Sequence, residues 1–240
     1  MNIETENIVA LGVARELSGI NQWQFDLVKK FIGRRVLEVG PGCGYLSRRL
    51  EVDKLVVIEK NVAYSEKLRE NLHDKKDVEI VFKDVTESDS KFFGRYNFDT
   101  VVSINVVEHI EDDKKVFKFF HEILKSTGKL VLLVPNHEFL YCNMDILSGH
   151  FRRYDRRKLT QLLQKSGFKV IECKPVMKIG GLVYFFRGRF CRDTKLFFRE
   201  KTERKVRILR RCISLMKLFD VMTPDVFGLS LVCVGEKVGA

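Results

Sequence analysis

Val36-Leu37-Glu38-Val39-Gly40-Pro41-Gly42-Cys43-Gly44 reads as a buried strand running straight into a glycine turn. Val36 to Val39 is a short apolar run that stops at glycines, as a strand buried on both faces of a parallel sheet does. In an open parallel sheet, ligands bind beyond the carboxyl ends of the strands, near the switch in strand order. Glycine lets a backbone approach a ligand closely and adopt angles closed to other residues. The turn is therefore the first place to look for a bound molecule.

The rest of the chain supplies the sheet. Before the turn, Asn21 to Ile32 places Trp23, Phe25, Leu27, Val28, Phe31 and Ile32 at helical spacing, with Gly33 as the stop. After it, Tyr45 to Leu50 is expected to begin a helix. Leu55 to Ile58 is a second buried strand and Asn61 to Leu72 a charged helix. Val78 to Phe82 alternates as a third strand, Asp99 to Ile104 is a fourth, Val116 to Leu124 a helix, and Lys129 to Val134 a fifth strand stopped by Pro135. Leu159 to Leu163 is a helix ended by Gly167, Lys169 to Cys173 a sixth strand, and Leu229 to Val234 the last. Alternating strands and helices specify a Rossmann-like α/β fold: a seven-stranded, mostly parallel sheet with helices on both faces. The chain, 1–240, is expected to be one domain, with a basic helical insertion or lid at about 175–226 before the last strand.

The glycine spacing narrows the ligand. A dinucleotide fingerprint needs G-x-G-x-x-G, and Tyr45 stands where its third glycine would be. That spacing disfavours a nicotinamide-dependent oxidoreductase. Glu38 suits a ligand with a cationic amino group better than a pyrophosphate.

With these features the sequence resembles the class I S-adenosylmethionine-dependent methyltransferases, whose first motif Val36 to Gly44 matches without a gap. The resemblance implies S-adenosylmethionine as cofactor, with Glu38 on its amino group and Gly40, Pro41, Gly42 and Gly44 lining it. It also implies that Glu59, beside Lys60 at the end of the second strand, holds the ribose hydroxyls, a role suited to a carboxylate with two acceptor oxygens. Asp84, in Phe82-Lys83-Asp84-Val85, would stand beside the adenine. Ile104-Asn105-Val106-Val107-Glu108-His109-Ile110, Lys125-Ser126-Thr127-Gly128-Lys129-Leu130, Gly149-His150-Phe151-Arg152-Arg153-Tyr154 and Phe227-Gly228-Leu229-Ser230 are similar to segments of the small-molecule branch often called type 11 or type 12. Lys60, Val85 and Asn105 join the expected cofactor contacts.

Methyl transfer from a sulfonium is an in-line displacement, so alignment matters most, and a base matters only where the nucleophile must lose a proton. His109 and His150 are the candidate bases, since histidine titrates nearest neutrality. Tyr154, Arg152 and Asn136 are candidate substrate contacts, with His137 beside them; His73 and His121 are expected to sit idle on helix surfaces. Members of this superfamily that methylate nucleobase amines carry an N/D-P-P-Y/F tetrapeptide where Asn105-Val106-Val107-Glu108 stands. The expected acceptor is therefore an oxygen or carbon of a small molecule, lipid or glycan precursor. The alternative is a catalytically inactive relative that binds RNA or membrane.

Composition bounds the rest. The hydrophobic fraction of 45% is ordinary for a globular protein. No run approaches the roughly 18 apolar residues of a membrane span, and Met1 to Ala10 is acidic and polar, unlike a secretory leader. The protein is expected in the cytoplasm. Six scattered cysteines, with no C-x-x-C pair, read as reduced and mostly buried thiols, and no metal is expected. Phe151 to Lys217 holds 21 Lys/Arg against 5 Asp/Glu, within a chain of net charge +11. Interleaved with Phe185, Phe186, Phe190, Phe197 and Phe198, and followed by an amphipathic stripe of Val206, Leu209, Ile213, Met216 and Phe219, this segment reads as a lid with a solvated basic face. Compatible with that is contact with an anionic membrane, at the inner surface; nucleic acid is the less favoured partner.

Overall fold

The computed structural model describes residues 18–190 and 203–239. It contains β1 (Arg35–Val39), β2 (Lys54–Glu59), β3 (Val78–Phe82), β4 (Phe98–Ile104), β5 (Leu124–Pro135), β6 (Phe168–Val176) and β7 (Ser230–Lys237). They form one seven-stranded sheet in the order β3-β2-β1-β4-β5-β7-β6. Strands β1 to β5 pair in parallel, while β7 runs antiparallel to both β5 and β6.

Two apolar layers follow from the alternation of side chains along each strand. Leu37, Val39, Val56, Ile58, Val101, Leu130 and Leu132 pack beneath α3 (Ser90–Gly94), α4 (Asp113–Ile123) and α6 (Arg156–Lys165), through Phe93, Phe117, Phe120, Leu159 and Leu163. The alternate residues, Val36, Leu55, Val57, Val102, Val131 and Leu133, pack against α1 (Ser18–Val28) and α2 (Ser65–Leu72), through Trp23, Val28, Leu68 and Leu72. The central strands are thus apolar on both faces. The edge strand β3 is half-buried throughout, and its sequence alternates accordingly.

The insertion comprises α7 (Lys178–Phe190) and α8 (Glu203–Met222). Their inner ends cap one another. The Asp220 carboxylate accepts the backbone N–H groups of Met177 and Lys178 at the start of α7. In return, the buried Lys178 ammonium donates to the carbonyls of Asp220 and Thr223 at the end of α8, each charge meeting the helix-dipole end of opposite sign. Ile213 is buried, Met216 is half-buried and Phe219 is exposed. Phe197, Phe198, Cys191 and Met1 to Ala10 lie outside the described residues, as do the side chains of Phe190, Val206 and Leu209.

One expected helix does not form: Tyr45 to Leu50 holds only a 3-10 turn at Ser47–Arg49. Ser47 turns its hydroxyl onto Glu38 and Arg49 lies over the Tyr45 ring at 3.7 Å, contacts that hold the segment near the strand end. The first helix also starts earlier and ends earlier than its apolar spacing suggests, passing into a 3-10 turn at Lys29–Phe31. Strand β5 begins at Leu124, with an irregularity near Thr127 (φ 61°) inside what reads as a turn. Among the described residues, no helix is long and apolar enough to cross a membrane. Cys173 and Cys233 are buried, Cys43 and Cys142 are half-buried and Cys212 is exposed, all as free thiols.

Candidate active site

At the end of β1, the Gly40 N–H donates to the Ile58 carbonyl at 2.8 Å, fastening the turn to β2. Gly40, Gly42 and Gly44 all adopt positive φ, at 70°, 55° and 78°. Their reasons differ. A Cβ on Gly40 would sit 2.4 Å from Val106 Cγ2 and one on Gly44 2.8 Å from Leu68 Cδ1, so these two are demanded by packing. A Cβ on Gly42 would meet nothing within 4 Å; it would project into open space. That space is a cleft of about 260 Å³ lined by Glu38, Gly40, Pro41, Gly42 and Asn105, together with Asn21, Gln24 and Phe25 of α1 and Cys43, Tyr45, Leu46, Tyr64 and Ile104.

The cleft's electrostatics centre on two buried carboxylates. Burial pushes the Glu38 carboxyl up to about 7, against the Ser47 hydroxyl that donates to it at 2.6 Å. The field of Glu59 adds to the rise. The charge that acts on Glu38 is thus the like charge of Glu59, which favours a cation delivered there. Glu59 accepts the Gly42 N–H at 2.9 Å and the Asn61 N–H at 2.8 Å, bracing the glycine turn from β2. Asp84 accepts from Thr86 N–H and Oγ1 and pairs with Lys60 at 2.6 Å. Burial opposes its ionisation, but Lys60 and Thr86 together hold it below the usual carboxylate range. Of the expected cofactor contacts, Glu38, Gly40, Pro41, Gly42 and Asn105 line the cleft. Gly44 packs against Leu68 of α2 and, like Glu59, Lys60, Asp84 and Val85 at the adjoining strand ends, does not line it; Val85 is buried in the core.

A second cavity, about 370 Å³, shares Gln24 and Asn105 with the first. Its wall is mostly apolar, with Ile20, Pro135, Met144, Leu147, Met177 and Leu229, and its polar groups include His150, Arg153 and Tyr184. Behind that wall lies Asp145 of α5 (Asn143–Leu147), fully buried. Its Oδ1 accepts from His150 Nδ1 and Arg153 Nε, both at 2.9 Å. Its Oδ2 accepts from Tyr184 OH and the Cys142 N–H, also at 2.9 Å. Burial disfavours the charge, but these donors outweigh it and keep Asp145 ionised far below the ordinary range. The His109 and His150 rings meet edge to face, 4.7 Å between centroids. Desolvation and the neighbouring His150 hold the His109 imidazole below its ordinary value.

The structure corrects the expected substrate contacts. Tyr154 is buried, its single O–H donating to Asp113 Oδ2 at 2.9 Å with the Val107 carbonyl 3.3 Å away, so it ties α4 to the turn after β4 and lines neither cavity. Arg152 points outward onto the Glu111 carbonyl and Asp113. Asn136 is buried between the Gly228 carbonyl and the His137 N–H. His137 stacks on Phe227. The bridge pairing Asn136 with Tyr154 turns alternate residues to opposite sides, so Arg153 faces the cavity and its two neighbours do not. As expected, His73 is an exposed residue past α2, while His121 is half-buried against the Phe168 ring. Asp145, Tyr184 and Gln24 were not indicated by any local motif.

This sheet order, with a glycine turn on β1 and acidic residues ending β1 and β2, defines a Rossmann-like methyltransferase. Residues 17–173 match the family described as "Methyltransferase domain", and the chain belongs to that family. S-adenosylmethionine is the cofactor that membership assigns to it. The chain is 28% identical over 118 residues to a ubiquinone biosynthesis O-methyltransferase of Coxiella burnetii, covering 45% of this chain and 46% of that one. It is 25% identical over 135 residues to the mitochondrial ubiquinone biosynthesis O-methyltransferase of Dictyostelium discoideum, covering 50% and 40%. The aligned part spans less than half the length of these curated relatives. Among solved structures, the chain is similar to a methyltransferase complex with the Trm112 activator from Haloferax volcanii (TM-score 0.63, 14% identity, 99% and 96% covered). It is also similar to phosphoethanolamine N-methyltransferase 2 of Haemonchus contortus bound to S-adenosylmethionine (TM-score 0.60, 21% identity, 90% and 52% covered). Both share its fold.

Proposed function

We propose that the protein transfers a methyl group from S-adenosylmethionine to an oxygen or carbon of an acceptor with an apolar body. The observation that carries this is the pair of adjoining cavities with Gln24 and Asn105 common to both. The first cleft, with Glu38 and the open face of Gly42, takes the donor; the second, more apolar cavity takes the acceptor, and the methyl passes where they meet. Alignment across that junction is the main source of rate. Similarity to ubiquinone biosynthesis O-methyltransferases favours an oxygen nucleophile. His150, oriented through Nδ1 by the ionised Asp145, lines the acceptor cavity and is the proton acceptor in this reading, with His109 packed beside it.

Calorimetric titration with S-adenosylhomocysteine, then with NADH, tests the reading. Micromolar binding of the first and none of the second is the expected result; failure of S-adenosylhomocysteine to bind overturns it in favour of an inactive, RNA- or membrane-bound relative. Leu147 lines the acceptor cavity yet is 65% exposed, and Leu182, Val183 and Phe186 of α7 are exposed close to Tyr184 in sequence. Together with the basic segment, they support a peripheral site on the anionic inner membrane surface from which a lipid-linked acceptor enters. The free thiols suit the cytoplasm. Co-sedimentation with phosphatidylglycerol vesicles, reversed by salt, is the expected behaviour, and equal pelleting with neutral vesicles overturns it.

A further inference from the structure

Glu108 is 0% exposed, and among the described residues its carboxylate oxygens meet no well-formed hydrogen-bond partner beyond the strained reach of its own backbone N–H. A buried carboxylate in that state costs several kcal/mol. Arg153, whose field reaches Glu108, is already committed through Nε to Asp145 and through Nη1 to the Asn136 carbonyl. The buried charges Asp145 and Arg153 balance each other, leaving Glu108 without a counter-ion of its own among the described residues.

We infer that Glu108, His109 and His150 form a site for a divalent first-row transition cation beside the acceptor cavity. One donor atom from each residue lies within 4.8 Å of the others. Two chain segments supply them: the 3-10 turn Val107–His109 after β4, and the loop after α5, joined by the Phe151 N–H donating to the Glu108 carbonyl at 2.8 Å. Each imidazole is anchored at Nδ1 by an oxygen, His109 by the Gly149 carbonyl at 3.2 Å and His150 by Asp145 at 2.9 Å. Nδ1 must donate in both, so Nε2 carries the lone pair. Outer partners of this kind orient metal-binding histidines. Two imidazoles and one carboxylate suit zinc, cobalt, iron or manganese, whereas magnesium prefers an all-oxygen shell. Such a set leaves coordination positions open, and His150 lines the acceptor cavity. With the cation held on His150 Nε2, that nitrogen no longer serves as the proton acceptor; an acceptor hydroxyl bound to the cation would lose its proton to water at neutral pH instead, which narrows the acceptor to an oxygen nucleophile able to ligate a cation. This role rests on the methyltransferase reading; the binding itself does not.

The test uses the full chain, stripped with chelator and titrated with Co²⁺ by visible absorption and with Zn²⁺ by calorimetry. One equivalent should bind, with affinity lowered at least about tenfold by Glu108→Gln and by the change of exposed His109→Ala, and by about 10–100-fold by Asp145→Asn. X-ray absorption of the zinc-loaded wild type should give only nitrogen and oxygen ligands at about 2.0–2.1 Å. A sulfur shell, binding that survives Glu108→Gln and His109→Ala, or no binding at millimolar metal overturns the proposal. S-adenosylhomocysteine titration of the same samples tells its failure apart from failure of the methyltransferase reading. Should the buried Glu108→Gln variant not fold, the His109→Ala titration and the wild-type ligand shell decide alone.

Discussion

Replacing Glu38 by Gln separates what the cofactor cleft costs the fold from what it gains in binding. Burial raises the Glu38 carboxyl from 4.5 to about 7, a displacement worth about 3 kcal/mol against the ionised form. The folded chain therefore holds this proton where the unfolded chain has lost it. The stability it contributes is whole below pH 4.5 and is lost as pH rises through about 7. Gln is neutral at every pH and keeps an oxygen for the Ser47 hydroxyl. In urea unfolding, Glu38→Gln should be more stable than the parent by about 1 kcal/mol near pH 5 and about 3 kcal/mol near pH 8. The same variant should bind S-adenosylhomocysteine about 10–100-fold more weakly, for want of the carboxylate–ammonium contact. Parent affinity should itself fall about tenfold per pH unit of acidification below pH 7. A variant destabilised equally at both pH values, or one with unchanged affinity, would refute the placement of an unpaired carboxylate facing the donor.

Two further substitutions divide structure from binding in the same way. Gly40→Ala, whose Cβ would collide with Val106, should cost about 1–3 kcal/mol in thermal or urea unfolding; Gly42→Ala, with open space before it, should cost only about 1 kcal/mol for its positive φ yet weaken S-adenosylhomocysteine binding at least about tenfold by calorimetry. Tyr154→Phe leaves the buried Asp113 short of a donor and should lose about 1–3 kcal/mol of stability with cofactor affinity unchanged; a loss of acceptor turnover without loss of stability would restore Tyr154 to the acceptor cavity.

The sheet was legible because each central strand is a short, doubly buried apolar run between glycines, prolines and charges, a pattern that needs no knowledge of neighbours. The donor cleft was legible for a related reason: Glu38 through Gly44 are contiguous, so a local motif carries the geometry. The acceptor wall was not. His150, Arg153 and Tyr184 come from a loop, the residue before a bridge and a helix, and all three converge on the buried Asp145. Whether Arg152, Arg153 or Tyr154 turns inward is set by the pairing of Asn136 with Tyr154, a long-range contact with no signature in either segment. Similarly, α1 is readable as amphipathic, but its second role emerges only in three dimensions, where Asn21, Gln24 and Phe25 roof the donor cleft.

The mutual capping of α7 and α8 has a mechanical consequence. Asp220 and Lys178 clamp α7 and α8 together at their inner ends, so any shift of one helix is passed to the other there. Lys217, one turn of α8 away, is pinned to Asp26 of α1 at 2.9 Å. Load applied to the pair is thereby transmitted as a tug on the helix that supplies Gln24 to both cavities. A shift of α8 would in this way alter the gap between the two cavities from a distance.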